Sequence, residues 1–334
     1  MRLRSVLGSI GQLVVVLAVA AVAVVAGWYL FVDLPGDLTD LLGVLFVLGL
    51  VLASLKLGSR VATAAFPGYN VAEVAVEGPI TRDGGGSGFP RSPTTPGADE
   101  IVEQIERADE DRHVDALLVK LNTPGGAVVP SDDIRQAAAD FDGPTVAYTN
   151  DLCASGGMWI ASGCDELWAR DGSIVGSIGV VFSQVRVHDL FEDHGVSYER
   201  IVSGDYKDAL SSFKPLEDDE REYLQALSDA WYENFVERVA EGTEMDESTI
   251  RETEARVFLG EEAVEFGMVD ALGDRSAVED DLADRLDAPV TVEAFEPSHS
   301  LGERLRGGAR SLAYAFGAGV AGSLRREDGG LRME

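Results

Sequence analysis

Ala116–Gly126 reads A-L-L-V-K-L-N-T-P-G-G, and Pro144–Gly157 reads P-T-V-A-Y-T-N-D-L-C-A-S-G-G. Each is an apolar, β-branched run that ends in a glycine pair, and a helical pattern follows each. The first helix is expected from Ser131 to Phe141, opened by Ser131 and Asp132, and the second begins in G-G-M-W-I-A. A short continuous apolar run of this kind suits a strand covered on both faces. Strand, loop and helix repeated in tandem then specify an α/β domain with helices packed on a mainly parallel sheet. In such a sheet the strand ends converge on one edge, so the two glycine pairs become neighbours.

The pattern extends in both directions. Upstream, Y-N-V-A-E-V-A-V-E-G (69–78) alternates as a strand does, R-D-G-G-G-S-G-F-P-R-S-P-T-T-P-G (82–97) is a flexible loop, and Asp99 to Ala108 has helical periodicity. Downstream we expect a strand at E-R-I-V-S-G (199–204), a helix over about 216–240, and another near 261–266 that ends at Gly267.

The first sixty residues differ. Leu13 to Val32 carries no charge and is long enough to cross a bilayer, and a second run reaches that length if taken from 38 to 55. No small-residue cleavage site closes the first run. The expectation is therefore two retained transmembrane helices, about 13–32 and 38–55, in a cell-membrane protein with the lipid bilayer as a partner. Arg2, Arg4, Lys56 and Arg60 flank these runs, and Asp33, Asp37 and Asp40 lie between them. The positive-inside rule reads this as a hairpin with the following domain in the cytoplasm, while the short apolar core of the second run also allows it to be interfacial or buried in the protein, which leaves one anchor and the domain outside. The domains are then 1–60 anchor, 61–98 first strand and flexible loop, 99–295 catalytic domain and 296–334 basic tail. That tail, with Arg304, Arg306, Arg310, Arg325 and Arg326, reads as a membrane-surface helix, a segment docking on the acidic domain, or a solvated end.

Composition removes other classes. The 334 residues hold 58 acidic and 27 basic side chains, a net charge of −31, which opposes nucleic-acid binding. Lysine is confined to Lys56, Lys120, Lys207 and Lys214. Such an acidic, lysine-poor surface fits a halophilic source, where concentrated salt screens self-repulsion. Cys153 and Cys164 lack a C-x-x-C partner and read as buried small hydrophobes, so no metal site is expected.

Ser155 follows a strand and opens a helix, where backbone N–H groups favour negative charge. By itself that is a helix cap. Next to a second glycine loop it becomes a nucleophile with an oxyanion hole, formed by the Gly156 N–H and by Gly125 and Gly126 of N-T-P-G-G. None of His113, His188, His194 and His299 sits in a setting that marks a base, and Cys153 stands where a G-x-S-x-G elbow needs glycine. A lysine can serve if its pKa falls from about 10.4 to about 7–8, costing roughly 4 kcal/mol, supplied mainly by burial. Lys56 flanks an apolar run, Lys120 lies in a strand and Lys214 precedes proline. Lys207, in S-G-D-Y-K-D-A, follows a glycine turn.

A-S-G-G-M-W-I-A, N-T-P-G-G, G-S-I-G-V, S-G-D-Y-K and G-E-E-A-V-E-F-G-M-V-D-A-L-G, in this order, resemble the signal peptide peptidase A family of membrane-bound Ser/Lys proteases over about 69–273. The resemblance implies a crotonase/Clp-protease-like α/β fold, Ser155 as nucleophile, Lys207 as general base, and Ser177 as the hydroxyl that hydrogen-bonds the lysine amine. It implies a membrane-anchored serine endopeptidase cleaving apolar peptides, such as remnant signal peptides, through an acyl-enzyme, with no cofactor. It also implies a homo-oligomer in which Ser155 and Lys207 of one site come from neighbouring subunits. Thr123 replaces the usual serine of S-P-G-G, and Met158-Trp159 replaces a common tyrosine pair, which leaves the pocket's side-chain preference open. Rival readings are a quality-control protease of the same family, a crotonase-type acyl-CoA enzyme and an inactive membrane scaffold.

Overall fold

The computed structural model describes residues 2–31, 49, 51–56, 58–59, 68–84 and 96–297. The chain divides into a unit of Met1–Phe295 and a second beginning at Glu296. The basic tail from 298 onward and most of the flexible loop, 85–95, lie outside the described residues.

Helix α1 spans Arg2–Phe31 and precedes strand β1 (Val71–Glu77) and helix α2 (Ala98–Asp109). Next come β2 (Ala116–Thr123), α3 (Val128–Ala139), β3 (Thr145–Ala154), α4 (Gly156–Ala161), β4 (Glu166–Ala169) and β5 (Ile174–Gly176). The remainder is α5 (His188–Asp193), α6 (Asp218–Gly242), α7 (Glu247–Glu252), β6 (Val257–Leu259), α8 (Gly260–Glu265), β7 (Ala271–Leu272), α9 (Arg275–Arg285) and β8 (Val292–Ala294).

One sheet runs in the order β6-β5-β3-β2-β1-β8, with β4 attached to β3 and β7 to β4. The β5–β6 pair is antiparallel, and the other strand pairs are parallel. The mixed α/β sheet follows from β2 and β3, which are apolar on both faces. Leu117, Val119 and Leu121 pack with α2, α3 and α4, while Ala116, Leu118 and Val146 pack with Val278 and Leu282 of α9. Each fully buried Leu or Val contributes about 1.5–3 kcal/mol by leaving water.

Strand β3 changes partners along its length. Val146–Thr149 pair with β4, and Leu152–Ala154 pair with β5. Cys153 is therefore held between Thr123 of β2 and Val175 of β5, and Ala154 is paired with Gly176 of β5 directly before Ser155.

Three expectations are corrected. Among the described residues no helix is long and apolar enough to cross a membrane, which overturns the transmembrane helix at about 13–32 and the cell-membrane localisation drawn from it. Helix α1 carries Arg2 and Arg4 in its first turn, and it spends part of its surface on the chain itself. Ala23 is buried, and Val16 and Val19 come within 3.6 Å of where a Cβ on Gly58 would stand. Most of 38–55 lies outside the described residues. The expected strand at 199–204 is irregular, and Ile201 is 99% exposed, because no strand among the described residues pairs with it. The helix expected from Ser131 begins at Val128, and the Ser131 hydroxyl, instead of capping, donates to the Ala127 carbonyl.

Candidate active site

Ser155 stands between β3 and α4 at φ 53° and ψ −117°, a left-handed backbone that costs a non-glycine residue about 1–3 kcal/mol. Two bonds hold it there. Its N–H donates to the Gly176 carbonyl at 2.8 Å, and its carbonyl accepts from the Trp159 N–H at 3.1 Å. Ser177 shares the positive φ, at 55°, its N–H donating to the Arg256 carbonyl at 2.9 Å. Because Ala154 is in register with Gly176, the two serines leave adjacent strands side by side.

The N-T-P-G-G loop comes up against this turn. The Thr123 hydroxyl donates to the Gly78 carbonyl at 2.6 Å and accepts the Gly125 N–H at 3.0 Å, so a hydroxyl at position 123 bends the loop whether serine or threonine supplies it. Ile80 clamps the next residues, its N–H donating to the Gly125 carbonyl and its carbonyl accepting from the Ala127 N–H. Gly125 sits at φ 90°, and a Cβ there would lie 2.5 Å from the Gly156 nitrogen and 2.7 Å from the Ser155 Cβ. Only glycine fits that approach.

These bonds separate the three glycines. The Gly125 N–H is committed to Thr123. The Gly126 and Gly156 N–H groups have no backbone acceptor among the described residues, and both glycines line a cavity that contains Ser155. A Cβ on Gly156 would come within 3.2 Å of the Gly126 nitrogen, so the two glycines lie side by side.

The cavity holds about 390 Å³. Apart from Ser131, its other walls are apolar, among them Val128 of α3, Trp159 of α4, Val180, and Trp231 and Phe235 of α6. Sequence periodicity placed Trp231 and Phe235 in a long helix without giving them a role. Asp132, read as part of a helix start, lies inside α3, where its Oδ1 accepts the Trp159 indole N–H and the Arg135 Nε–H, each at 2.9 Å. Burial opposes ionisation of Asp132, but the Arg135 and Trp159 bonds overcome it and hold its carboxyl below the usual range.

The lysines fall into two groups. Lys120 pairs with Glu77 at 2.7 Å, and Lys214 is buried in a bond with Glu220, so both amines are committed. Lys207 lies in the irregular segment before α6, exposed, outside the cavity lining, and without a side-chain bond among the described residues. One chain therefore brings together Ser155, Ser177, Gly125, Gly126 and Gly156 and leaves Lys207 apart. The histidines bond elsewhere: His113 to Asp111, His188 to the Phe213 carbonyl and His194 to the Leu190 carbonyl, while His299 is outside the described residues. Cys153 and Cys164 are free and buried, and burial pushes the Cys164 thiol up to about 12.

The profile of Peptidase family S49 matches residues 137–289, a span that contains Ser155, Ser177 and Lys207. A protein of Synechocystis sp. provisionally named a protease is 35% identical over 236 residues, covering 69% of this chain and 85% of the relative. Another, from Methanocaldococcus jannaschii and also provisionally named a protease, is 30% identical, covering 66% of this chain and 71% of the relative. A chloroplastic serine protease SPPA of Arabidopsis thaliana is 29% identical, covering 68% of this chain and 36% of its own length. Among solved structures, a 1510-N membrane-bound stomatin-specific protease covers 69% of this chain and 99% of its own at 16% identity, with a TM-score of 0.43. The chain belongs to Peptidase family S49 and is a serine peptidase.

Proposed function

We propose that the chain is an endopeptidase of apolar peptides, with Ser155 as nucleophile and Lys207 as general base. The observation that carries this is the left-handed Ser155, lining a cavity beside two glycines whose N–H groups have no backbone acceptor among the described residues. Ser155 Oγ attacks the peptide carbonyl, and its proton passes to the neutral Lys207 amine. The Gly126 and Gly156 N–H groups receive the oxyanion, with Gly125 supplying the bend that aims them. The C–N bond then breaks, the lysine proton goes to the leaving amine, and water activated by the same lysine releases the acyl group. Ser177, one strand over, orients the lysine amine.

Lys207 reaches the site from a second copy of the chain in a homo-oligomer. Its exposure in the single chain supports this, as do the solvent-facing Val181, Val185 and Ile201 of the same segment. A peptide-filled contact between copies would supply the burial a neutral lysine needs. The catalytic part spans 61–295 with a crotonase/Clp-like arrangement. Remnant signal peptides suit the apolar cavity, and fragments of damaged membrane proteins are the alternative substrate. The 58 acidic against 27 basic residues favour a salt-adapted, halophilic source, which a thermal midpoint rising with potassium chloride would test.

Ser155→Ala and Lys207→Ala should each abolish hydrolysis of an apolar peptide while leaving the circular dichroism spectrum unchanged, and Lys207→Arg should also fail because arginine stays protonated. Near-native turnover in either alanine variant would refute the dyad.

A further inference from the structure

Trp159 of α4 lines the same cavity as Ser155, and its backbone N–H donates to the Ser155 carbonyl at 3.1 Å. Whatever stands at position 159 is therefore a wall of the space beside the reacting hydroxyl. Here it is an indole that cannot swing aside. Its N–H is bonded to Asp132 Oδ1 at 2.9 Å, and its ring packs on Phe235 with centroids 4.6 Å apart. Trp159 and Phe235 are 4% and 1% exposed, and Arg135 fixes the Asp132 carboxylate from its other side. The wall is thus a plate bolted by a charged hydrogen bond and a ring contact.

We infer that Trp159 is the specificity-determining residue of this site and that Asp132 is its positioning residue. The inference rests on Ser155 being the nucleophile. With the plate closing the cavity beside Ser155, the pocket takes a leucine-sized apolar side chain on the residue that donates the carbonyl. A phenyl or indole entering end-on meets the Trp159 ring. A charged side chain meets apolar walls, and its desolvation is left uncompensated. An alanine side chain leaves the cavity underfilled.

The test uses the full chain, assembled as purified, and internally quenched peptides that differ only in having Ala, Leu, Phe, Trp or Asp before the cleaved bond. Ratios of kcat/KM within one enzyme cancel the concentration of active sites. The wild type should prefer Leu. Trp159→Ala should raise the Phe-to-Leu ratio at least tenfold. Asp132→Ala should move the ratio in the same direction, whereas Asp132→Asn, whose amide oxygen still accepts the indole N–H, should keep the wild-type profile. A ratio unchanged in Trp159→Ala overturns the inference for Trp159. Equal profiles in Asp132→Ala and Asp132→Asn, with only the melting temperature altered, overturn it for Asp132. Should Trp159→Ala fail to fold, the Asp132 pair decides alone. Hydrolysis persisting in Ser155→Ala would refute the nucleophile instead, and the ratios would be read separately.

Discussion

The turn around Ser155 and the segment around Lys207 are built in opposite ways. The first is over-determined: strained serines end two adjacent strands, a glycine loop presses within 2.5 Å of where a side chain would be, and each bend is secured by a backbone bond. The second, 178–217, has one short helix and a few long-range ties, among them Val187 N–H to the Ser212 carbonyl and the Phe182–Trp231 ring stack. It leaves Val181 at 84% and Ile201 at 99% exposure. Strain of about 1–3 kcal/mol persists only where surroundings enforce it, so the setting of the proposed nucleophile is finished within one chain. That of the proposed base is not. On the proposed assembly, the protease would be inactive as a single chain and would gain its base on association.

Mixing breaks or sharpens that contrast most directly. Ser155→Ala chains carry an intact Lys207, and Lys207→Ala chains carry an intact Ser155. Each alone should lose activity by about 10⁴-fold or more. Co-assembled chains should recover a measurable part of wild-type turnover. No recovery, with exchange proved by native mass spectrometry, would place both groups of a site in the same chain.

Gly125→Ala should be the most damaging single change on the over-determined side. The new Cβ would meet the Gly156 nitrogen, the Ser155 Cβ and the Ala154 carbonyl, all within 2.9 Å, at a φ that alanine disfavours. We expect a loss of stability above about 3 kcal/mol or, if the loop yields, a hundredfold loss of kcat from a displaced oxyanion donor. A Gly125→Ala enzyme with native melting temperature and kcat would mean that the turn is looser than its contacts imply.

The Lys207 segment is anchored at its far end by Lys214 and Glu220, both buried and bonded to each other. The Lys214 ammonium holds the Glu220 carboxyl below its ordinary range. A carboxylate lowered on folding contributes stability above its unfolded pKa of about 4.3, and that contribution is lost as pH falls through the lower folded value. Lys214→Ala leaves a buried carboxylate unpaired and should cost up to about 3–5 kcal/mol, less if the segment opens to water. Hydrogen exchange should then rise first in 178–217, ahead of β2 and β3. Uniform loss of protection would make the segment part of the core's cooperative unit.

Legibility in the sequence divides along the same line. Strands β2 and β3 were readable because burial on both faces leaves continuous apolar runs, and the glycine pairs because close backbone approach excludes side chains. The commitment of the Gly125 N–H to Thr123 was not readable, since it depends on the Gly78 carbonyl from another strand end. The Asp132–Trp159 bond joins two helices whose approach no local pattern encodes. At 199–204 the run E-R-I-V-S-G was expected as a strand, but a strand needs a neighbour to bond, and the described residues provide none there. The transmembrane expectation followed the hydropathy of the first runs, whereas no described helix meets the requirement for crossing.

The smallest effect should come from Arg200, whose Nε contacts Asp208 at 3.0 Å within the exposed segment. The guanidinium side chain is 38% exposed, so water and salt screen the pair, which should contribute no more than about 1 kcal/mol. Asp208 adjoins Lys207, however, and its carboxylate oxygens are buried without a hydrogen-bond partner among the described residues. Freed from Arg200, that carboxylate is the nearest anion in sequence to the lysine amine and would favour its charged form. Arg200→Ala should therefore leave the melting temperature within about 2 °C and move the basic rise of kcat/KM to higher pH. A pH profile unchanged in Arg200→Ala would show that Asp208 turns away from the lysine once the copies assemble, and a large fall in melting temperature would show that the segment is more firmly held than its exposure suggests.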